Sequence, residues 1–158
     1  MNIRTGIQPG DIGRLLALHG TFYAEHYGLD LSFEAYVAEG LGQFAQAFDA
    51  DKDCIWIAEE NNQLLGSITI AHQKNNTAQL RWFIVAPQAQ GRGLGKELIN
   101  QAIAFCRAQR MQSVFLWTIS DLPVAAHLYQ QAGFTLTEQK THRLWGAQHT
   151  EQRYDLRL

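Results

Sequence analysis

Three closely spaced glycines mark the segment with the clearest chemical meaning, Gln90-Gly91-Arg92-Gly93-Leu94-Gly95-Lys96. Glycine lets the backbone approach a ligand closely. A helical pattern follows at once, and the first amides of a helix have no partner within it. Those amides, together with the helix dipole, attract anions. The segment therefore predicts a binding site for a phosphate-bearing ligand, and a pyrophosphate would fit it.

Two common phosphate-binding loops do not match this segment. A P-loop has a glycine six residues before its lysine and a serine or threonine after it, but this chain has Gln90 and Glu97 there. The dinucleotide fingerprint has its third glycine three residues after the second, where this chain has Lys96. A purely structural glycine turn remains the alternative.

The periodicity of the apolar residues predicts the elements before the loop. The chain alternates weakly over residues 2–7, and apolar residues then recur every three to four positions over residues 12–22 and 33–48. We expect Ser32 to be the N-cap of the second of these helices. Three apolar runs separated by turn residues then predict an antiparallel meander, which stops at Ala86-Pro87 because proline cannot continue a sheet ladder.

The elements after the loop complete an α/β (α+β) fold. A helix begins at the glycines, SVFLWTI follows as a buried strand, a helix spans Asp121–Ala132, and two alternating strands close the chain. This order favours a mixed, mostly antiparallel sheet of about seven strands with about four helices on its faces. No linker or repeat divides the sequence, so we expect residues 1–158 to form a single domain.

Composition excludes several functional classes. The net charge of −2 offers no basic surface, which argues against nucleic acid as a partner. No stretch reaches the roughly 18 apolar residues of a membrane span, and the start lacks the apolar centre of a secretory signal, so we expect no membrane partner and a cytoplasmic location. Cys54 and Cys106 lie in apolar runs and are expected to be structural thiols. No spacing of His, Cys and Asp predicts a metal site.

Two motifs give the chain a resemblance to the GNAT superfamily of N-acetyltransferases. The loop matches the family's Gln/Arg-x-x-Gly-x-Gly/Ala signature after a strand that ends Phe83-Ile84-Val85, and residues 125–134 are similar to its Ala-x-x-Leu-Tyr-x-x-x-Gly-Phe segment. The element order agrees over nearly the whole chain. Several stretches, including RWFIVAPQAQGRGLG and HRLWG, resemble the acetyltransferase domain fused behind MarR-type DNA-binding domains. The 158 residues hold no such domain, so transcriptional regulation is not carried over.

The resemblance implies acetyl-coenzyme A as co-substrate. In the family, the strand before the loop splays from its neighbour and its backbone holds the pantetheine arm, while the loop amides take the pyrophosphate. Its asparagine seven residues before the motif tyrosine is Leu122 here, with Ser120 just upstream. The coenzyme contacts implied are Phe83, Ile84, Val85, Gln90, Gly91, Arg92, Gly93, Leu94, Gly95, Lys96, Ser120 and Tyr129.

Tyr129 matches the tyrosine that protonates the departing thiolate in many family members. A phenol with a pKa of about 10 can donate a proton to a thiolate whose thiol has a pKa near 8.5. We therefore expect Tyr129 to be the general acid. The alternative is a core tyrosine on an apolar helix face.

The proton acceptor is less evident. Histone-acetylating relatives have a glutamate early on the strand before the loop, where this chain has Gln79, which cannot accept a proton at neutral pH. Glu25 and His26, expected in the connection between the first two helices, are the leading substitutes because the family usually builds its acceptor pocket there. His127 and His142 are further candidates.

The sequence thus predicts transfer of an acetyl group from acetyl-coenzyme A to a primary amine, by direct attack in a ternary complex. The acceptor would be a small-molecule or peptide amine, and the protein a monomer or homodimer. The alternative is a non-catalytic module that binds or senses acetyl-coenzyme A, which Gln79 and the missing asparagine favour.

Overall fold

The computed structural model describes residues 1–158 and contains seven strands and four helices. In chain order they are β1 (Asn2–Thr5), α1 (Asp11–Tyr27), α2 (Leu31–Gln46), β2 (Cys54–Glu60), β3 (Gln63–Gln73), β4 (Thr77–Val85), α3 (Leu94–Ala108), β5 (Ser113–Ile119), α4 (Pro123–Gln131), β6 (Thr135–Leu144) and β7 (Ala147–Arg157). The predicted order of elements is confirmed.

All seven strands join one sheet in the order β1-β2-β3-β4-β5-β7-β6. The β4–β5 pair is parallel and the other pairs are antiparallel, so the predicted mixed sheet is confirmed. A parallel pair needs a crossover connection, and α3 supplies it here. The glycine loop lies in that crossover, between the end of β4 and the start of α3.

The sheet has a hydrophobic core on each face. On one face, α3 buries the stripe that includes Leu94, Leu98 and Ala102. On the other, α1 and α2 bury Leu15 and Leu41 against β2 and β4. The apolar residues of each stripe recur every three to four positions and so share one face of the helix, which explains why each helix lies flat on the sheet.

Both cysteines take the structural role predicted for them. Cys106 is buried in the α3 core and Cys54 packs against that core, with no disulfide between them. Burial raises the pKa of Cys54 to about 11 and that of Cys106 to about 12, so neither thiol ionises at neutral pH.

The pairing of β4 with β5 stops after three residues. Thr77 pairs with Ser113, Ala78 with Val114 and Gln79 with Phe115, and beyond that point the two strands separate. Both strands nevertheless continue, β4 to Val85 and β5 to Ile119. The splay that the resemblance implied is therefore confirmed.

A β-bulge in β4 lies beside this separation. Ser67 of β3 pairs with Ile84 and Thr69 pairs with Arg81, so Trp82 and Phe83 together face the single residue Ile68. Trp82 has a φ of 46°, a left-handed conformation that is costly for a bulky residue. The bulge reverses the alternation of side chains between the two faces of the sheet. Leu80 packs in the α3 core, whereas Trp82, two residues later, packs in the α1–α2 core.

Two details of the helix ends differ from the sequence-based expectation. The N-cap of α2 is Asp30 and not Ser32, because the Asp30 carboxylate accepts a hydrogen bond from the Ser32 backbone N–H at 2.9 Å. Glu25 and His26 belong to α1, which continues to Tyr27 and ends at Gly28 in the left-handed conformation. The predicted position of both residues in a connection was wrong.

The start of α1 is fixed to the sheet by a charged network. Asp11 is buried, and its Oδ1 accepts hydrogen bonds from Arg4 at 2.6 Å and from Arg14 at 2.7 Å. Both arginines also bind Glu59 on β2 at 3.1 Å. Because a buried carboxylate is stable only when it is paired, these contacts hold α1 in one position over the sheet.

Candidate functional site

The gap between β4 and β5 is a cavity of about 150 Å³. Helices α1 and α2 cover it from one face of the sheet, and α4 covers it from the other. Its lining comprises His19, Tyr23, Leu29, Phe33, Tyr36, Val37, Gln79, Leu80, Arg81, Trp82, Phe83, Leu116, Trp117, Thr118, Ile119, Leu122, Ala125, Tyr129, Trp145 and Glu151. Most of these side chains are apolar or aromatic, which is typical of a small-molecule site.

Tyr129 lies on α4 and is 5% exposed. Its ring is 5.9 Å from that of Phe83 and 5.8 Å from that of Tyr154, and its hydroxyl makes no hydrogen bond within the protein. Burial raises the pKa of Tyr129 well above its ordinary value, and the phenols of Tyr23 and Tyr154 raise it further. The phenol therefore stays protonated at neutral pH and can act as a proton donor but not as a base.

His19 lies on α1 and is 3% exposed. Its Nδ1 is 2.8 Å from the Leu15 carbonyl oxygen. A carbonyl only accepts hydrogen bonds, so Nδ1 carries the proton and Nε2 keeps its lone pair. Nε2 makes no hydrogen bond within the protein, and His19 lines the cavity. Burial lowers the pKa of His19 to about 4, so the ring is neutral at neutral pH.

The glycine loop presents a row of free amides. None of the six backbone N–H groups from Gly91 to Lys96 donates a hydrogen bond to another group of the protein. Gly91 and Gly93 have φ values of 75° and 80°, conformations that other residues rarely adopt. Gly93 is the N-cap of α3, so the loop leads directly into the positive end of the helix dipole.

The side chains of the loop divide between structural and exposed positions. Gln90 donates from Nε2 to the Val85 carbonyl at 3.3 Å, which ties the loop to the end of β4. Arg92 binds Glu60 at 3.4 Å, and Lys96 is exposed with no ion pair. Gly95 allows α4 to approach, since a Cβ there would lie 3.0 Å from Leu128 Cδ1.

Several predicted site residues lie away from the cavity. Glu25 and His26 are exposed on the last turn of α1, where the His26 ring stacks on Phe22 at 4.5 Å. Ser120 is exposed after β5, and its N–H bonds to the Thr150 carbonyl at 2.9 Å. His127 is exposed on α4. The structure does not bring these four residues together with Tyr129.

Other residues from the sequence analysis do border the cavity. Gln79 and Leu122 are part of its lining. His142 does not line it but holds Glu151, which does, with Nε2 2.8 Å from the Glu151 carboxylate.

Several polar or aromatic residues of the lining were not predicted from the sequence, among them His19, Arg81, Trp145 and Glu151. His19 lies within an apolar helical stripe, so its position in the sequence gives no sign of a site. The others come from strands or a turn far along the chain. The unusual cluster His-Arg-Leu-Trp-Gly at residues 142–146 was the one signal that pointed to this wall.

Neither a group of metal ligands nor a membrane-spanning helix is found in the structure. No three or more His, Cys, Asp or Glu side chains are grouped so that they could hold a metal ion. None of the helices combines the length and the apolar character needed to cross a membrane.

Known proteins share both the sequence pattern and the fold. The model of the acetyltransferase (GNAT) family matches residues 14–134. A mycothiol acetyltransferase of Cellulomonas flavigena is 33% identical over 91 residues, which are 51% of this chain and 26% of that protein. N-acetyltransferase family 8 member 3 of Rattus norvegicus is 30% identical over 89 residues, which are 53% of this chain and 39% of that protein. The chain spans less than half the length of these curated relatives.

Solved structures share the fold over the full length of the chain. Ribosomal-protein-alanine N-acetyltransferase from Brucella melitensis superposes with a TM-score of 0.80 and 17% identity over 100% of both chains. The structure of yncA from Salmonella typhimurium with its cofactor acetyl-CoA superposes with a TM-score of 0.77 and 18% identity, over 99% of this chain and 92% of that one.

We predict that His19 makes the stability of the protein depend on pH. The folded protein holds the pKa of His19 at about 4, against 6.5 for an ordinary histidine. Between these values the unfolded chain binds a proton that the folded protein excludes, so the free energy of unfolding falls as pH falls from about 6.5 to about 4. The full difference is about 3 kcal/mol at about 1.4 kcal/mol per pH unit.

Urea denaturation at a series of pH values checks this prediction. His19→Gln should lose that part of the pH dependence, whereas His26→Gln, on the same helix but exposed, should keep it. Equal pH slopes for the wild type and His19→Gln would contradict the burial argument.

Proposed function

The chain belongs to the acetyltransferase (GNAT) family, and we propose that it transfers an acetyl group from acetyl-coenzyme A to a primary amine. One observation carries the proposal: six consecutive free amides in the glycine loop follow the end of β4, the strand whose edge β5 leaves unpaired beyond Gln79. An anion site next to a gap in a sheet suits a long ligand with a diphosphate at one end and a reactive group at the other.

The coenzyme would bind along β4. Its pyrophosphate would accept hydrogen bonds from the amides of Gly91–Lys96, with Lys96 adding a positive charge. The pantetheine arm would follow Phe83–Val85, because no β5 residue pairs with β4 beyond Gln79 and that edge is open to a ligand. This route brings the thioester to the cavity, where Phe83 meets Tyr129.

The reaction would be direct attack within a ternary complex. The amine nitrogen attacks the thioester carbonyl carbon and a C–N bond forms. Backbone N–H groups on the open edge of β4 would stabilise the oxyanion. The C–S bond then breaks, the sulfur receives the proton of the Tyr129 hydroxyl, and the products are an amide and free coenzyme A.

His19 is our proposal for the base, in place of the exposed Glu25 and His26. A base with a pKa of about 4 does not deprotonate an alkylammonium ion, whose pKa is about 10.4, so the amine attacks in its neutral form. His19 lines the same cavity as Tyr129, and its Nε2 is unprotonated at neutral pH. It would accept the proton of the attacking nitrogen as the C–N bond forms, because that nitrogen then becomes strongly acidic.

Other properties stay predictions from the sequence. These are a cytoplasmic location, the absence of a nucleic-acid or membrane partner, and a monomeric or homodimeric state. The likeness to acetyltransferase domains fused behind MarR-type regulators also stays a prediction, and we derive no regulatory role from it.

Replacing one amide of the loop should weaken coenzyme binding. Lys96→Pro removes the backbone N–H in the first turn of α3, where it has no partner within the helix. We expect the Kd for acetyl-coenzyme A to rise about 10- to 100-fold, as for the loss of a hydrogen bond to a charged group. Lys96→Ala is the control, because it removes the side-chain charge and keeps the amide. Equal affinities of the two variants in calorimetric titration would place the pyrophosphate elsewhere.

Tyr129→Phe should slow the chemical step and leave binding intact. Without the phenol the thiolate leaves unprotonated, so we expect kcat to fall about 100-fold or more, with the Kd for acetyl-coenzyme A within about threefold. The assay is amine-dependent release of coenzyme A thiol, and Tyr27→Phe, which lies outside the cavity lining, is the control. Wild-type turnover by Tyr129→Phe would remove it from this role. Tight coenzyme binding without transfer to any amine would instead support a sensing module.

His19→Gln should slow the chemical step by a factor that does not depend on pH between pH 7 and pH 10. We expect kcat/KM for an alkyl amine to fall about 100-fold across this range, because His19 acts on the neutral amine as it attacks and is itself unprotonated throughout. The Kd for acetyl-coenzyme A should stay within about threefold, whereas a residue that only supported the fold would weaken coenzyme binding as well. Wild-type turnover by His19→Gln would exclude His19 as the base.

A further inference from the structure

Arg81 is the only positively charged residue in the lining of the cavity, because the other basic side chain there, His19, is neutral at neutral pH. Its guanidinium lies 4.2 Å from the centre of the Trp82 ring. Four arginines of the chain are half-buried, and Arg4, Arg14 and Arg153 each bind a carboxylate. Arg81, the fourth, forms no ion pair and donates no hydrogen bond within the protein. Its charge is thus free to bind a ligand.

The fold holds this side chain in place from two sides. The bulge at Trp82 provides the aromatic face on which Arg81 stacks. On the other side, Gly40 of α2 leaves room for it, since a Cβ at position 40 would lie 2.9 Å from Arg81 Nη2 and 3.0 Å from Trp82 Cζ2. An arginine stacked in this way presents its planar fork of donors in a fixed direction, which suits a carboxylate.

Another part of the cavity wall is aromatic. Trp145 occupies the two-residue turn between β6 and β7, where its ring lies 5.0 Å from Phe33 and 5.5 Å from Tyr36. Its φ is 53°, and its carbonyl accepts the Asp30 N–H at 3.1 Å, which fixes the turn against the start of α2. Trp82 and Trp145 are both held in a left-handed conformation and both line this cavity, which points to a binding role.

The volume of the cavity and the charges in its lining restrict which ligands it can bind. An apolar protein cavity of about 150 Å³ holds one benzene ring, so the enclosed part of the acceptor is small. Glu151, on the β7 side of the cavity, is the one carboxylate in the lining, and His142 and Lys140 hold it at 2.8 Å and 3.9 Å. It forms no ion pair with Arg81. The cavity thus carries one carboxylate and one free guanidinium, complementary to the ammonium and carboxylate groups of a zwitterion.

We propose that the acceptor is a free α-amino acid with an apolar or aromatic side chain, and that Arg81 binds its carboxylate. This inference rests on the proposed acetyl transfer to an amine and specifies the acceptor of that reaction. The side chain of the amino acid packs against Trp145, Phe33 and Tyr36. Its amino group attacks the thioester carbonyl and loses its proton to the base, the C–S bond breaks, and coenzyme A leaves as the free thiol. The amino nitrogen becomes the amide nitrogen of an N-acetyl amino acid.

Matched acceptors test the role of the carboxylate with the full chain and acetyl-coenzyme A. The assay measures release of coenzyme A thiol. L-phenylalanine is compared with 2-phenylethylamine and L-phenylalaninamide, and L-leucine is compared with 3-methylbutylamine. Spermidine serves as a further amine without a carboxylate. We expect kcat/KM to be about tenfold or more higher for each amino acid than for the analogue without a carboxylate, as for the loss of one charged contact.

Arg81→Gln identifies the residue responsible. We expect it to lower kcat/KM for L-phenylalanine about 10- to 100-fold and to change that for 2-phenylethylamine less than about threefold. Arg107→Gln, exposed on α3, is the control and should behave as wild type. Gly40→Ala displaces the guanidinium and keeps the charge, so it should reduce the same preference if Arg81→Gln folds poorly.

The outcomes separate this inference from the proposed function. If wild type acetylates amines with no preference for a carboxylate, or if Arg81→Gln lowers the rates of both acceptors equally, the amino-acid inference is wrong and acetyl transfer stands. If no amine releases thiol although calorimetry shows coenzyme binding, the proposed function is overturned and the inference with it.

Discussion

The structure depends on the point where β4 and β5 stop pairing. If the two strands stayed paired beyond Gln79 and Phe115, the sheet would be closed there and no cavity would form. Because both strands continue apart, β4 keeps an edge whose backbone groups need other partners, and the apolar side chains on either side line a gap rather than a core. The bulge at Trp82 belongs to the same feature, since it turns Trp82 toward α1 and α2 at the level of the gap. The open edge of β4 runs from the cavity at Gln79–Phe83 toward Val85, after which the loop with the free amides follows.

The helices hold the cavity open without filling it. The Asp11 network fixes the start of α1, and α1 in turn carries His19 and Tyr23 to the cavity. On the opposite face, Gly95 lets α4 pack close to α3, which brings Tyr129 against Phe83. The acid and the base that we propose therefore reach the reacting atoms from opposite faces of the sheet, and each is set by a different packing contact.

Much of the fold could be predicted from the sequence because the relevant signals are local. Helical stripes, turn residues and the glycine loop are read from neighbouring positions, and the loop and Tyr129 lie where their motifs indicate. The expectations that failed depended on detail at helix ends, where Asp30 rather than Ser32 caps α2 and where α1 extends through His26. His19, Arg81, Trp145 and Glu151 escaped prediction for a different reason. They come from four distant segments, and the strand register together with the packing of α1 on the sheet brings them to one cavity.

The surface proposed for the coenzyme comes from one short stretch of chain, from Phe83 to Lys96, whereas the acceptor wall is gathered from residues scattered between 19 and 151. The turn that carries Trp145 docks on the start of α2 through one backbone hydrogen bond, the packing of its ring on Phe33 and Tyr36, and a close approach at Gly146, where a Cβ would lie 2.8 Å from the Asp30 carboxylate. Substitutions at this hairpin tip can therefore reshape one side of the acceptor wall without touching the stretch that we propose for the acyl donor.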